Sequence, residues 1–216
     1  DEGAGGHFWC DSLEELHAER GRLSGLRTLD LSGCRPAVLP AELWSATGLQ
    51  ALSLSGCAGL VELPVGLGSL TGLHTLIMCD CTGLVALPAE LGRLAGLTEL
   101  DLSRCQSLKS LPKELGSLTG LHALNLSDCT SLGELSAELG SLAGLQTLDL
   151  HGCEGLEWIP GELGRLAGLQ TLDLSGCVSL RVPVERAMPV ELGLLAGLQT
   201  LNLSGCTGLE ELPEWM

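Results

Sequence analysis

The chain is 216 residues long, with 11 Lys+Arg against 27 Asp+Glu, a formal net charge of −16, ten cysteines and 2% aromatic residues. That length holds one ordinary domain or a repeat array with a sizeable core, and the acidity excludes nucleic acid or an anionic membrane surface as an attracted partner. No apolar run approaches the roughly 20 residues of a membrane span, no secretory leader is visible, and the opening at Asp1 rather than Met leads us to expect a processed or trimmed N-terminus.

The first predicted element is a helix over Leu13–Arg20. Ser12 has the place of an N-cap, Glu15 that of its reciprocal partner, and Gly21 stands behind the last turn. With Phe8, Trp9, Leu13, Leu16 and Leu23 supplying an apolar face, residues 1–24 read as an N-terminal segment and capping helix that shields the first strand.

From Gly25 a string G-L-x-x-L-x-L-x-x-C returns eight times, beginning at Gly25, Gly48, Gly72, Gly96, Gly120, Gly144, Gly168 and Gly197. Residues 25–216 therefore read as an array of eight units of about 24 residues. In the seventh unit Leu169, Leu172 and Leu174 mark a strand whose leucines point inward while the intervening residues point out. One such strand cannot bury its leucines alone; stacked at about 4.8 Å per unit, eight make a parallel sheet roughly 38 Å long over a continuous core. The second half of each unit, as in Leu84–Leu94 (LVALPAELGRL), places Pro88 at the start of a short α or 3-10 helix, Glu90 in its first turn, and Gly92 as a limit on its length. The fold class is α/β: a right-handed solenoid with a concave sheet and short helices on the convex side.

Departures from the repeat come in chain order. The first unit lacks a residue between Cys34 and Leu39, Met78 replaces a core leucine, and Ser136 stands where proline is usual. About five extra residues near Val182–Arg186 should bulge from one rim, and the chain stops mid-unit at Leu212–Met216, without a full C-terminal cap.

Eight cysteines share one inward place after the strand: Cys34, Cys57, Cys81, Cys105, Cys129, Cys153, Cys177 and Cys206. They read as buried thiols donating weakly to the backbone turn, their side chains parallel and poorly directed for disulfides. So many reduced thiols imply a reducing compartment, cytoplasmic or organellar. Cys10 and Cys79 lie outside this column, and Cys79-Asp80-Cys81 is not a zinc motif.

Alternation also lays out the concave face. Its central column is Asp30, Ser53, Ile77, Asp101, Asn125, Asp149, Asp173 and Asn202; beside it run Thr28 to Thr200 on one side and Ser32 to Ser204 on the other. The surface is small, polar and mildly acidic, without the aromatic anchors that dominate tight interfaces. A basic partner would be drawn to Glu99, Asp101, Asp149 and Asp173, and Ile77, Cys79 and His151 break the repeat there. On the convex side Trp44 and Trp158 break the pattern and are candidate anchors, and Arg186 of the insertion is a further candidate contact. His151 near Asp149 suggests a base or metal ligand, but no third group or nucleophile accompanies it. Phosphate-loop, zinc-protease and nucleophile-elbow motifs are absent. Asn125-Leu126-Ser127 and Asn202-Leu203-Ser204 match a glycosylation acceptor but fall inside predicted strands.

The run Gly168–Cys177 (GLQTLDLSGC), followed elsewhere by L-P-x-E-L-G-x-L, resembles the leucine-rich repeats of plant and algal intracellular proteins, and most of all the repeat domains of plant nucleotide-binding immune receptors. The small Ras-group leucine-rich-repeat proteins are a second likeness. What the resemblance implies is a horseshoe fold over nearly the whole chain and a non-catalytic recognition, autoinhibitory or scaffolding role toward protein partners. No cofactor, metal, nucleic acid or membrane is expected to be bound. A secreted or cell-surface recognition domain, an accessory subunit of a large assembly and, last, part of an enzyme are the other readings open at this point, as is the chain's being part of something longer.

Overall fold

The computed structural model describes residues 7–9, 25–34, 39–181 and 189–209. The expected capping helix at 13–20, Cys10, the insertion at 182–186 with Arg186, and the C-terminal 212–216 lie outside the described residues.

Nine strands form one parallel sheet in chain order: β1 (His7–Trp9), β2 (Thr28–Asp30), β3 (Ala51–Ser53), β4 (Thr75–Ile77), β5 (Glu99–Asp101), β6 (Ala123–Asn125), β7 (Thr147–Asp149), β8 (Thr171–Asp173) and β9 (Thr200–Asn202). The last eight are the strands given by the repeat. β1 is an addition: segment 7–9, expected within the cap, continues the sheet by pairing His7, Phe8 and Trp9 with Thr28, Leu29 and Asp30. It carries no L-x-L pattern, so only the backbone pairing reveals it.

Register never slips. The central leucines pair in series, Leu29 with Leu52 and Leu76 through to Leu172 with Leu201. From Leu29 to Leu172 these side chains are almost wholly buried, and Met78 fills its leucine place with no exposure. Each such burial contributes about 2 kcal/mol. Among the described residues the core weakens at both ends of the array: Cys34 and Trp44 in the first unit and Leu198, Leu201, Leu203 and Leu209 in the last are partly buried.

On the convex side every helix described is a five-residue 3-10 turn, for example Ala89–Arg93 and Lys113–Ser117. The prolines are extended N-caps one residue before the turn, as Pro88 at φ −72°, rather than its first residue as the sequence suggested. In the fifth unit Ser136 replaces the proline and accepts from the Glu138 N–H, while its hydroxyl bonds the Glu138 carboxylate. The glycine within each turn has a different reason from the one expected. A Cβ on Gly68, Gly92, Gly116, Gly140 or Gly164 would overlap the backbone carbonyl of a glutamate in the next unit. Glycine there sets how closely successive turns approach, more than how long each runs.

Trp44 belongs to this packing. It is half-buried against the core, and a Cβ on Gly66 would run into its side chain at 2.5 Å. Gly66 interrupts the convex glutamate column in the unit directly after Trp44, leaving the room its indole occupies. Part of the Trp44 side chain is thereby engaged in packing between successive units. Trp158 is 38% exposed beside the buried Ile159.

The nine described cysteines are thiols, not disulfides. From Cys57 onward each column thiol donates to a carbonyl of the preceding unit: Cys57 to Leu31 at 3.4 Å, Cys81 to Leu54 at 3.1 Å, Cys105 to Met78 at 3.2 Å, and so on to Cys206 with Leu174 at 3.0 Å. Burial, foremost, pushes these thiols upward, Cys81 to about 11 and Cys57, Cys129 and Cys177 to about 12.

This packing leads to two expected outcomes. The folded chain holds thiol protons that an unfolded chain releases near pH 8.5, so their stabilisation is complete below that pH and is lost as pH rises toward 12. Urea midpoints should therefore fall steadily between about pH 8.5 and 10.5; a constant midpoint contradicts the coupling. Gly116→Ala should lose about 1–3 kcal/mol in urea unfolding, whereas Gly133→Ala, whose Cβ would meet nothing within 4 Å, should lose far less.

Candidate functional site

The outward residues of β5–β8 form the most acidic stretch of the concave sheet. Strand pairing brings Ile77 beside Asp101, Asp101 beside Asn125, Asn125 beside Asp149 and Asp149 beside Asp173. Glu99, Asp101, Asn125, Thr147 and Asp149 line a shallow concavity of about 210 Å³.

The Asp/Asn column has a local cause that the sequence did not reveal. At each strand end one side-chain oxygen accepts the backbone N–H two residues on: Asp30 from Ser32 at 2.8 Å, Asp101 from Ser103 at 2.8 Å, Asn125 from Ser127 at 3.0 Å, Asp149 from His151 at 2.9 Å, Asp173 from Ser175 at 2.8 Å and Asn202 from Ser204 at 3.1 Å. This is an Asx turn that leads the chain out of the sheet. Asp and Asn serve it equally, so six of the eight central residues are explained by folding before any ligand is considered. The second oxygen of Asp101 and of Asp149 takes no part in the turn. Ser53 and Ile77 lack the motif, and Ser53 instead pairs its hydroxyl with Ser32 and Ser55.

His151 does not combine with the Asp149 carboxylate as a base–acid pair; only its backbone N–H reaches that group. Its Nδ1 lies 2.8 Å from Ser175 Oγ, which in turn lies 2.5 Å from Asp173 Oδ1. Asn202 Nδ2 donates to Asp173 Oδ2 at 3.1 Å. Partial burial opposes ionisation of Asp173, but the hydrogen bonds from Ser175 and Asn202, with His151 nearby, hold it below the usual carboxylate range. Ser175 donates to a carboxylate here and is no nucleophile. Among the described residues no group of three or more His, Cys, Asp and Glu is arranged to hold a metal ion, and no helix is long and apolar enough to cross a membrane.

The remaining candidates lie apart. Ile77 and Cys79 are half-exposed on and just beyond β4, and Glu99 is exposed on β5. Trp158 is on the convex side, away from the acidic strip.

A rim feature escaped the sequence reading. The residue before each column cysteine has a left-handed backbone; it is glycine in five units, but Asp80, Arg104 and Asp128 in three consecutive ones, with φ near 59°. Arg104 reaches Asp80 at 3.5 Å and Asp128 at 3.9 Å. Such a backbone costs a non-glycine residue about 1–2 kcal/mol, and opposite charges on both sides of Arg104 offset part of it. The loss of glycine from S-G-C in adjacent units was the available signal.

A family model described as a leucine-rich repeat region matches residues 9–130. No curated protein matches the chain. Among solved structures, a leucine-rich-repeat protein of Leptospira interrogans is 29% identical over 90% of this chain and 58% of its own, with a TM-score of 0.58. The leucine-rich repeat domain of the type III effector XopL is 27% identical over 91% of this chain and 72% of its own, with a TM-score of 0.59. A TDR receptor, 22% identical, shares the fold over 84% of this chain and 35% of its own, with a TM-score of 0.56. The chain thus spans a little over half the length of the Leptospira protein. Repeat spacing, sheet order and family match agree: this chain belongs to the leucine-rich-repeat family.

Proposed function

We propose that the chain is a non-catalytic protein-interaction module whose concave face receives a basic segment of a partner protein. One observation carries this reading. The turn carboxylates Asp101 and Asp149 each engage one oxygen in the fold and have a second beyond the turn, beside Glu99 and in line with Asp173. The net charge of −16 adds long-range attraction for a cation. With small residues between the acids and no aromatic anchor, the attraction is electrostatic, salt-sensitive and modest in affinity. Ile77 and Cys79 are secondary contacts in this reading, Trp158 would serve a separate convex contact, and a scaffold or accessory subunit is the role that fits such a surface.

Asparagine preserves the turn, so the triple variant D101N/D149N/D173N separates charge from folding. Decalysine should bind the native chain at low ionic strength, weaken as salt is added, and bind the triple variant at least about tenfold more weakly, at roughly 0.5 kcal/mol per exposed charge lost. Equal binding by the two proteins, or none by the native one, refutes the acidic-face reading.

We further propose a reducing compartment as the place of work. What supports it is the thiol column, in which each S–H has a hydrogen-bond role that oxidation would remove. Asn202 Nδ2, the atom a glycan would take, already donates to Asp173 Oδ2 at 3.1 Å, which weighs against the alternative, a glycosylated secreted domain. The likeness to plant immune receptors rests on the repeat motif alone. Protein from its native source, denatured without reductant, should titrate ten thiols; a count near zero refutes the compartment.

A further inference from the structure

At the third position of the concave columns six of the eight units carry serine; Cys79 and His151 are the exceptions. The His151 ring reaches across to the next unit and its bond there has a fixed direction. Asp173 is held ionised and only accepts. The single hydroxyl proton of Ser175 is directed to Asp173 Oδ1, so its lone pair faces the imidazole and Nδ1 carries the proton. Ser175, at 6% exposure, is the buried polar side chain of the described residues, whereas His151 itself is exposed. The nitrogen left without a proton is Nε2. Its protonation adds a charge without breaking a hydrogen bond.

Three acidic residues are hydrogen-bonded to His151, at its backbone or through Ser175. Asp149 is on its own unit, Asp173 on β8, and Asp128 is in the turn of the preceding unit, where its N–H donates to the His151 carbonyl at 2.6 Å. Asp128 in turn faces Arg104 at 3.9 Å. The neighbour from β9 is the neutral Asn202.

We propose that His151 makes the acidic face pH-sensitive: the neutral imidazole leaves its negative charge undiminished, and the protonated imidazole cancels part of it and weakens the hold on a cationic partner. The switch acts through charge, with no change of backbone or rotamer. It rests on the acidic-face reading above; imidazole is the side chain whose charge changes between about pH 5 and 8.

The test is decalysine binding at about pH 8 and pH 5.5, at low ionic strength. His74 and His122 also stand on the concave edge, so the comparison uses H151S, which restores the common repeat residue, and H74Q/H122Q. Native binding should be roughly two- to fivefold weaker at the lower pH. H151S should lose most of that difference and H74Q/H122Q should keep it. In ¹⁵N spectra near pH 8 His151 should show the Nδ1–H tautomer. Native binding that ignores pH, a full pH effect in H151S, or an Nε2–H tautomer overturns the switch and leaves the acidic face standing. Absence of binding at pH 8 overturns both.

Discussion

One carbonyl per unit holds this solenoid together. In most units the residue that closes the strand segment, as Leu31, Leu102 and Leu174, accepts a backbone N–H from the cysteine three places on and a thiol S–H from the cysteine of the next unit; the Met78 carbonyl takes the Cys105 thiol. The first bond closes a coil; the second ties it to its neighbour. The second needs a cysteine at this place in the repeat and its proton; the first is a backbone bond open to any residue but proline. Leucine burial supplies most of the driving force, but leucines alone would tolerate sliding between units. The shared acceptor fixes the stack at a single register.

That register turns a linear repeat into a surface. Because units do not slip, outward residues line up at sheet spacing, and the acids of β5, β7 and β8 form one strip with Asn125 of β6 among them. On the other side the close approach of each glycine to the next glutamate carbonyl lets the convex turns pack tightly. The strip therefore results from packing on both faces of the sheet, with no dedicated loop to present it.

Much of this was legible in the sequence. Period and leucine spacing gave the sheet, the core and the outward columns, because burial enforces alternation wherever one face is dry. The cysteine column was legible for the same reason. Less visible were features that depend on which atoms meet between units. Trp44 read as a candidate anchor, and one unit's motif did not show that Gly66 makes room for its side chain. His151 looked like a partner of Asp149, the nearer residue in sequence, yet its ring bonds to Ser175 in the following unit. Asp80, Arg104 and Asp128 stood in a glycine column, and their charge alternation becomes an ion row only once stacking places them side by side. β1 has no repeat pattern at all. In each case the missing information was lateral, between units, whereas a repeat motif describes one unit at a time.

The Asx turn has a consequence for how such a surface diversifies. At the end of a strand the fold requires a short side chain with an acceptor oxygen and is indifferent to whether the atom beside it is oxygen or nitrogen. Aspartate and asparagine codons differ by one base, so a single-nucleotide change flips the charge of one unit and leaves its backbone intact. Along the concave face this amounts to a row of independent two-way settings, through which a lineage can redraw its electrostatic pattern unit by unit without passing through an unfolded intermediate.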